Sequence, residues 1–328
     1  MSDRSLALAS ALQQKQDIVL PVFCERRNCG TKSRDAIPMA AAVQNGGFGT
    51  VYATADGANV VKINADRVDA DIIRREITMH IAKHANIIRV HSCYAINGIV
   101  RGIVMENGGR DFMDHLMATG ALDDGCLHDF SIDILRAVSY LHDHEIYHLD
   151  IKPENMLSGT DGNGYRILKL CDFGLSHGDG DEWKMHPHCN FGIFGMSHGD
   201  GDEWETHSGR KFGSLAGDGP KYFGSPSYMP HFELATRPDF LRKRDLWAVG
   251  CVMFIMAYGI MLYDAPNTPH YNRVWEKLAT KKPDYFASLG GVAPRFIEKW
   301  MRQLVSTDPT SCTAILDESQ VQSLIGRA

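Results

Sequence analysis

The most constraining stretch of this chain lies between positions 147 and 174. It reads Tyr147-His148-Leu149-Asp150-Ile151-Lys152-Pro153-Glu154-Asn155-Met156-Leu157, then an apolar strand pattern over 167–171, then Asp172-Phe173-Gly174. An apolar helical pattern, 127–142, leads into it. Two carboxylates, a lysine and an amide therefore fall on loops at the ends of regular elements. Transfer of a phosphoryl group to a hydroxyl needs such a set: a carboxylate to orient the acceptor and oxygen ligands for Mg²⁺. The competing reading, an acidic loop with chance spacing, fits so specific a string poorly.

Upstream, Asn45-Gly46-Gly47-Phe48-Gly49-Thr50-Val51-Tyr52 forms a glycine-rich turn between two strand-like segments. Glycines let backbone amides approach phosphate oxygens that a Cβ would keep away, although a plain hairpin uses them too. Lys62 stands in the apolar strand Val60-Val61-Lys62-Ile63, either as a surface residue or as a cation aimed at phosphates. A helix is expected over roughly 66–84, with Ile73, Ile77 and Ile81 at i, i+4 and i+8. Glu76 falls on the same inward stripe. An unpaired carboxylate there is costly, and a partner such as Lys62 removes the cost.

In order and spacing these motifs resemble the eukaryotic-type protein kinases, from about Ala41 to the C-terminus. The resemblance implies an α+β, bilobal protein-kinase-like fold with a small β-rich N-lobe and a larger α-helical C-lobe. It also implies ATP and Mg²⁺ as cofactors, and a protein substrate with a serine or threonine acceptor. Under it, Gly46, Gly47 and Gly49 cover the ATP phosphates and Val51 roofs the adenine. Lys62 contacts the α- and β-phosphates and pairs with Glu76. Met105 is the gatekeeper, Glu106 to Gly108 the hinge, Leu157 the adenine floor, and Asp111 reaches the ribose. Asp150 is the catalytic base, Lys152 steadies the γ-phosphate, and Asn155 and Asp172 hold Mg²⁺. Lysine two positions after Asp150 is the serine/threonine pattern. The eroded secondary motifs also resemble compact kinases of large DNA viruses.

The departures from the family pattern are informative. Gln44 occupies the place of the first loop glycine, so the phosphate cover is expected to be stiffer. Leu149 replaces the arginine that precedes the catalytic aspartate and binds an activation-loop phosphate, which predicts activity independent of that phosphorylation. Glu233 matches the family's glutamate at the end of the activation segment. Its arginine partner is replaced by Cys312, so the large lobe must be fastened some other way.

A tandem repeat fills 173–214: Phe173 to Trp183 recurs as Phe194 to Trp204, with 13 identities over a 21-residue unit. Two copies are too few for a solenoid, and the Gly/Asp/His composition points to a duplicated, exposed loop. The expected organisation is an extension over 1–40, an N-lobe over 41–106, and hinge plus C-lobe over 107–328 with the duplication inside its activation segment.

Composition excludes several classes. The 328 residues are 44% apolar, enough for a sizeable core. Lys+Arg 34 against Asp+Glu 40 gives a net charge of −6, against a nucleic-acid scaffold. Eight scattered cysteines suggest no disulfide framework, and Cys24/Cys29 lack a second pair for zinc. The short apolar stretch 6–12, preceded by Asp3, is not read as a signal peptide, so an intracellular protein, cytoplasmic or nuclear, is expected. The uncharged run 246–263 has the length of a membrane span. Gly250, Gly259 and the preceding Arg242-Lys243-Arg244-Asp245 argue instead for a helix buried in the large lobe, so no membrane partner is expected. Arg242–Arg244 near the expected substrate face favour acidic substrates, whereas Glu154 favours basic ones.

Two other functions compete with an active serine/threonine kinase. A pseudokinase, acting as a nucleotide-binding or docking scaffold, fits Gln44, Leu149 and the swollen activation segment. A small-molecule phosphotransferase is disfavoured by Lys152-Pro153-Glu154 and by Ser225-Pro226, which resembles a peptide-substrate loop. The complete set Lys62, Glu76, Asp150, Asn155 and Asp172 weighs for the active enzyme.

Overall fold

The computed structural model describes residues 18–19, 22–23, 36–37, 39–46, 49–64, 68, 72–73, 75–76, 79, 82–96, 99–178, 203–205, 211–213, 225–230, 239–263, 294–306 and 308–325. The chain divides into two compact units: Met1–Gly108 with Asp172–Gly174, and Gly109–Cys171 with Leu175–Ala328.

The first unit is built on antiparallel strands rich in β-branched residues. After β1 (Ile18–Val19) come β2 (Val22–Phe23), β3 (Ala36–Ile37), β4 (Met39–Gly46), β5 (Gly49–Thr54), β6 (Asn59–Asn64), β7 (Val90–Ile96) and β8 (Ile99–Glu106). Six of them form one sheet in the order β2-β7-β8-β6-β5-β4, while β1 and β3 pair separately. The expected extension over 1–40 thus contributes an edge strand, with Val22 opposite Tyr94. Val61, Ile103, Val104 and Tyr52 of the sheet are buried, as are Ile72, Ile73, Met79, Ile87 and Ile88. Of the helix expected over 66–84, residues 72–73 and 75–76 are helical, and Ile77 and Ile81 lie outside the described residues.

The β4–β5 hairpin closes at Gly46 opposite Gly49, and Gly47 lies outside the described residues. Gly49 has φ +153°, and a Cβ there would stand 2.0 Å from the Ile63 carbonyl oxygen on β6. Strand packing alone therefore demands this glycine, whatever else it does.

The second unit is mainly helical. A three-stranded sheet, ordered β12-β11-β9, joins β9 (Arg110–Asp111), β11 (Met156–Thr160) and β12 (Arg166–Leu170). Helix α1 (Phe112–Thr119) is capped by Asp111, whose carboxylate accepts from the Met113 and Asp114 amides. Helix α2 (Asp124–Asp143) is capped by Asp123 and buries Leu127, Phe130, Ile134, Leu135, Val138 and Leu141 on one stripe. Strand β10 (Ile146–Tyr147) pairs with β13 (His177–Gly178). Most of the repeat lies outside the described residues. Its second copy includes β14 (Glu203–Glu205) and β15 (Lys211–Gly213), with Trp204 opposite Phe212.

Helix α3 (Phe240–Tyr258) is buried from Lys243 to Met256, and α4 (Arg295–Leu304) and α5 (Cys312–Ile325) follow it among the described residues. The uncharged run 246–263 is not one element: Gly259 ends α3 in the left-handed conformation, its amide returning to the Ile255 carbonyl. Among the described residues no helix is long and apolar enough to cross a membrane. Burial on every side explains an apolar pattern without helical periodicity.

Candidate active site

The first unit brings together Lys62, Glu76 and Asp172. Strand β6 sets Lys62 opposite Val51 on β5 and opposite Ile103 on β8. Its ammonium bonds the Glu76 carboxylate and lies 3.9 Å from Asp172 Oδ2. Burial raises the Glu76 carboxyl to about 7; the Lys62 charge draws it down and the Asp172 charge adds to the rise. Asp172 holds φ +61°, a left-handed conformation uncommon outside glycine. Its neighbours fix it: Phe173 is buried, and Arg75 Nη1 donates to the Gly174 carbonyl at 3.4 Å. The pairing predicted for Glu76 is present, and it offsets part of the cost of burying that carboxylate.

Met105 stands opposite Val60 at the end of β8. Glu106 is tied to Arg89 twice: its amide donates to the Arg89 carbonyl at 3.0 Å, and its carboxylate accepts the Arg89 amide at 2.9 Å. The Asn107 amide donates to the Ala58 carbonyl at 2.9 Å, and Gly108 is buried. This segment is therefore pinned to the residues that lead into β7 and β6.

The second unit gathers Asp150, Lys152 and Asn155. The Lys152 ammonium lies 2.8 Å from Asp150 Oδ2. Asn155 Nδ2 donates to the same oxygen at 2.9 Å and to the Asp150 carbonyl at 2.8 Å. With its side-chain nitrogen so committed, Asn155 has its side-chain oxygen Oδ1 to offer a cation. The Cys171 amide donates to the Asn155 backbone carbonyl at 2.9 Å. His148 Nε2 donates to the Cys171 carbonyl at 3.1 Å, which leaves Nδ1 to accept from the Asp150 amide at 3.3 Å. Backbone bonds thus link the loop bearing Asp150 and Asn155 to the residue preceding Asp172. Leu157 and Asp111 are cross-strand partners in β11 and β9, and the Asp111 carboxylate serves there as a helix cap.

Three residues outside the expected set complete this second cluster. Ser225 donates to Asp150 Oδ1 from its amide at 3.0 Å and from its hydroxyl at 3.1 Å, while its Oγ accepts from Lys152 at 2.8 Å. Asp245, on α3, accepts the His148 and Leu149 amides at 2.7 and 2.8 Å and the His142 ring at 3.1 Å. Arg244 donates to the Leu149 carbonyl at 2.7 Å. One signal was present in the sequence: Arg244 and Asp245 open a long uncharged run, and charges at the mouth of a buried helix require partners.

The same geometry corrects the reading of Arg242–Arg244 as a substrate-facing cationic patch. Arg242 donates to the His142 carbonyl, Lys243 pairs with Asp239 and Asp308, and Arg244 takes the Leu149 carbonyl. Lys243 and Arg244 are buried. These contacts tie α3 to three other segments. They are the fastening that the replacement by Cys312, itself buried, called for; Glu233 lies outside the described residues.

The donor set suits a nucleotide with Mg²⁺. Among the described residues no cluster of three or more His, Cys, Asp or Glu side chains could hold a metal by itself. Mg²⁺ does not require one, because it takes one or two protein oxygens and completes its shell with phosphates and water.

Comparison with known proteins agrees with this chemistry. The protein kinase domain family matches residues 41–189. CBL-interacting protein kinase 9 of Oryza sativa subsp. japonica is 25% identical over 247 residues, 74% of this chain and 44% of the relative. CBL-interacting serine/threonine-protein kinase 26 of Arabidopsis thaliana is 28% identical over 206 residues, 60% of this chain and 37% of the relative. The chain thus spans less than half the length of these curated relatives. The crystal structure of Rad53 1-466 in complex with AMP-PNP superposes with a TM-score of 0.57 and 20% identity, over 85% of this chain and 64% of that one. That likeness establishes the fold. The chain has the protein-kinase fold, and its residues 41–189 match the protein kinase domain family.

Proposed function

We propose that this chain is an ATP-dependent serine/threonine protein kinase, transferring the γ-phosphate of ATP to hydroxyls of a protein substrate inside the cell. The observation that carries the reading is the contact of Ser225 with Asp150 and Lys152. A serine hydroxyl there donates to a carboxylate oxygen while accepting from an ammonium. A substrate hydroxyl needs those same two partners as its proton leaves and charge develops on the transferring group. Ser225 on Oδ1, with Lys152 and Asn155 on Oδ2, fills the lone-pair sites of Asp150, so a substrate hydroxyl takes over one of these bonds.

In the proposed step the acceptor oxygen forms a bond to the γ-phosphorus as the bond to the β,γ-bridging oxygen breaks. The hydroxyl proton passes to Asp150, and the electron pair of the broken bond leaves on ADP. Lys62, held by Glu76, orients the α- and β-phosphates; Gly46, Gly47 and Gly49 cover them, with Val51, Met105, Glu106, Gly108 and Leu157 around the adenine. Bound Mg²⁺ would neutralise charge on the β- and γ-phosphates, with Asn155 and Asp172 as its protein ligands. The Arabidopsis thaliana relative named as a serine/threonine-protein kinase and Lys152 two positions after Asp150 support the acceptor class.

The test is phosphate transfer from Mg-ATP to a generic basic protein by wild type and Asp150→Asn, beside a nucleotide-binding measurement. Transfer that disappears in the variant while binding persists is expected. Binding without transfer in the wild type would replace this reading with that of a docking scaffold, which the buried Leu149 favours.

A further inference from the structure

We propose that Arg244 is a positioning residue for Asp150, clamping the Leu149 peptide from the buried helix α3; this rests on the kinase reading above. Leu149 holds φ +65°, a left-handed conformation that a leucine keeps only where its surroundings over-determine it. Both of its backbone polar groups are taken by consecutive residues of α3. Asp245 Oδ1 accepts the Leu149 amide at 2.8 Å, and Arg244 Nη2 donates to the Leu149 carbonyl at 2.7 Å. The carbonyl belongs to the peptide plane that leads into Asp150, so rotation of that plane re-aims the carboxylate.

A buried arginine is a costly choice for this position. Arg244 is only 5% exposed and lies in the second turn of a helix whose next eleven residues, apart from Asp245 apolar or glycine, are all buried. Burial lowers its guanidinium towards about 10, with the Asp245 and Asp150 charges pulling it back up, so it stays charged at neutral pH. A cation kept here against desolvation must be repaid by its partners. The partners are the Leu149 carbonyl and the two carboxylates that frame the loop. The Leu149 side chain is buried and carries no charge of its own. The loop is thus held by a cation built into the helix rather than by one carried on residue 149.

The experiment compares wild type, Arg244→Met, Arg244→Lys and Lys243→Ala. The last breaks the neighbouring pair with Asp308 without touching Leu149. Each is measured for kcat, for KM of ATP, for thermal midpoint, and for amide hydrogen exchange at residues 149–151. Arg244→Met is expected to lower kcat about tenfold or more with KM for ATP within about twofold, and to speed exchange at 149–151 by about tenfold. Arg244→Lys should recover part of both effects. Lys243→Ala should lower the thermal midpoint while leaving kcat and exchange at 149–151 at wild-type values. Wild-type kcat and exchange in Arg244→Met, or equal losses in Lys243→Ala, would overturn the assignment. Should Arg244→Met not fold, Arg244→Lys carries the test, and wild-type kcat and exchange in it are the overturning result. Absence of transfer in the wild type would sink the kinase reading separately, leaving the exchange rates to decide on Arg244.

Discussion

Ser225 addresses one oxygen of Asp150 twice, with its amide at 3.0 Å and its hydroxyl at 3.1 Å. The two residues are 75 positions apart, so the segment around Ser225 must be in place before that carboxylate is aimed. Ser225→Ala removes the hydroxyl and also one acceptor of the Lys152 ammonium. Hydrogen bonds to charged groups contribute about 1.5–3 kcal/mol, which corresponds to a loss of roughly tenfold to a hundredfold in kcat. Ser225→Thr, which keeps the hydroxyl, should retain most activity. Steady-state kinetics of the two variants check this, and a fully active Ser225→Ala refutes it.

The Glu76 carboxyl titrates near 7 rather than at its ordinary 4.5, because it is buried. Its folded-state value is raised, so the stability tied to its proton is complete below about 4.5 and lost as pH rises to about 7. The loss is on the order of 3 kcal/mol at about 1.4 kcal/mol per unit. Denaturation of the nucleotide-free protein at pH 5 to 8 should show wild type losing stability relative to Glu76→Gln over that window. A flat difference over this window would show that Glu76 is ionised throughout. Pairing with Lys62 requires the ionised form, so transfer by the wild type should rise through the same range.

Asp245 behaves in the opposite sense. Burial alone would raise its carboxyl, but the His142 bond and charge and the Leu149 amide hold it below the ordinary range. A depressed carboxylate contributes stability above its unfolded value of about 3.9, and that stability is lost as pH falls through the folded value. Asp245→Ala leaves the His148 and Leu149 amides unpaired in the interior and should cost about 3–5 kcal/mol at pH 7. Urea denaturation with an acid series measures both effects. A variant within 1 kcal/mol of wild type, on the scale of about 1 kcal/mol for ordinary substitutions, would contradict the assignment.

Leu149 is buried, and no cation stands at its position to receive a phosphate. Phosphatase treatment of the purified protein should therefore leave its activity unchanged. A loss of tenfold or more would mean that a phosphorylated residue orders the active form through another cation.

Gly250 lies where α3 meets the end of α4, and a Cβ on it would come 2.4 Å from Val305 Cγ2. Gly250→Val overfills this contact and should destabilise the protein by about 1–3 kcal/mol without altering KM for ATP. The thermal midpoint and KM separate the two outcomes.

Local spacing made much of this legible. Helix α2 and strand β12 announce themselves by their apolar patterns over 127–142 and 167–171. Lys62 and Glu76 could be paired on paper, because a carboxylate on an inward helical stripe demands a nearby cation. The hairpin before Lys62 was readable from its glycines, but the reason for Gly49 was not. That reason is the Ile63 carbonyl, a backbone atom on another strand.

What the amino-acid order determined alone is the inventory of reactive groups and their place at the ends of regular elements, because helix and strand periods are local properties of the chain. Tertiary structure decided which polar groups those residues meet. Ser225 bonds Asp150, Asp245 accepts the amides before it, and Arg244 turns inward to a carbonyl, across separations of 75 to 97 residues. Partners so distant are chosen by the desolvation cost of buried charge, which depends on where the interior forms and on what else is sealed into it.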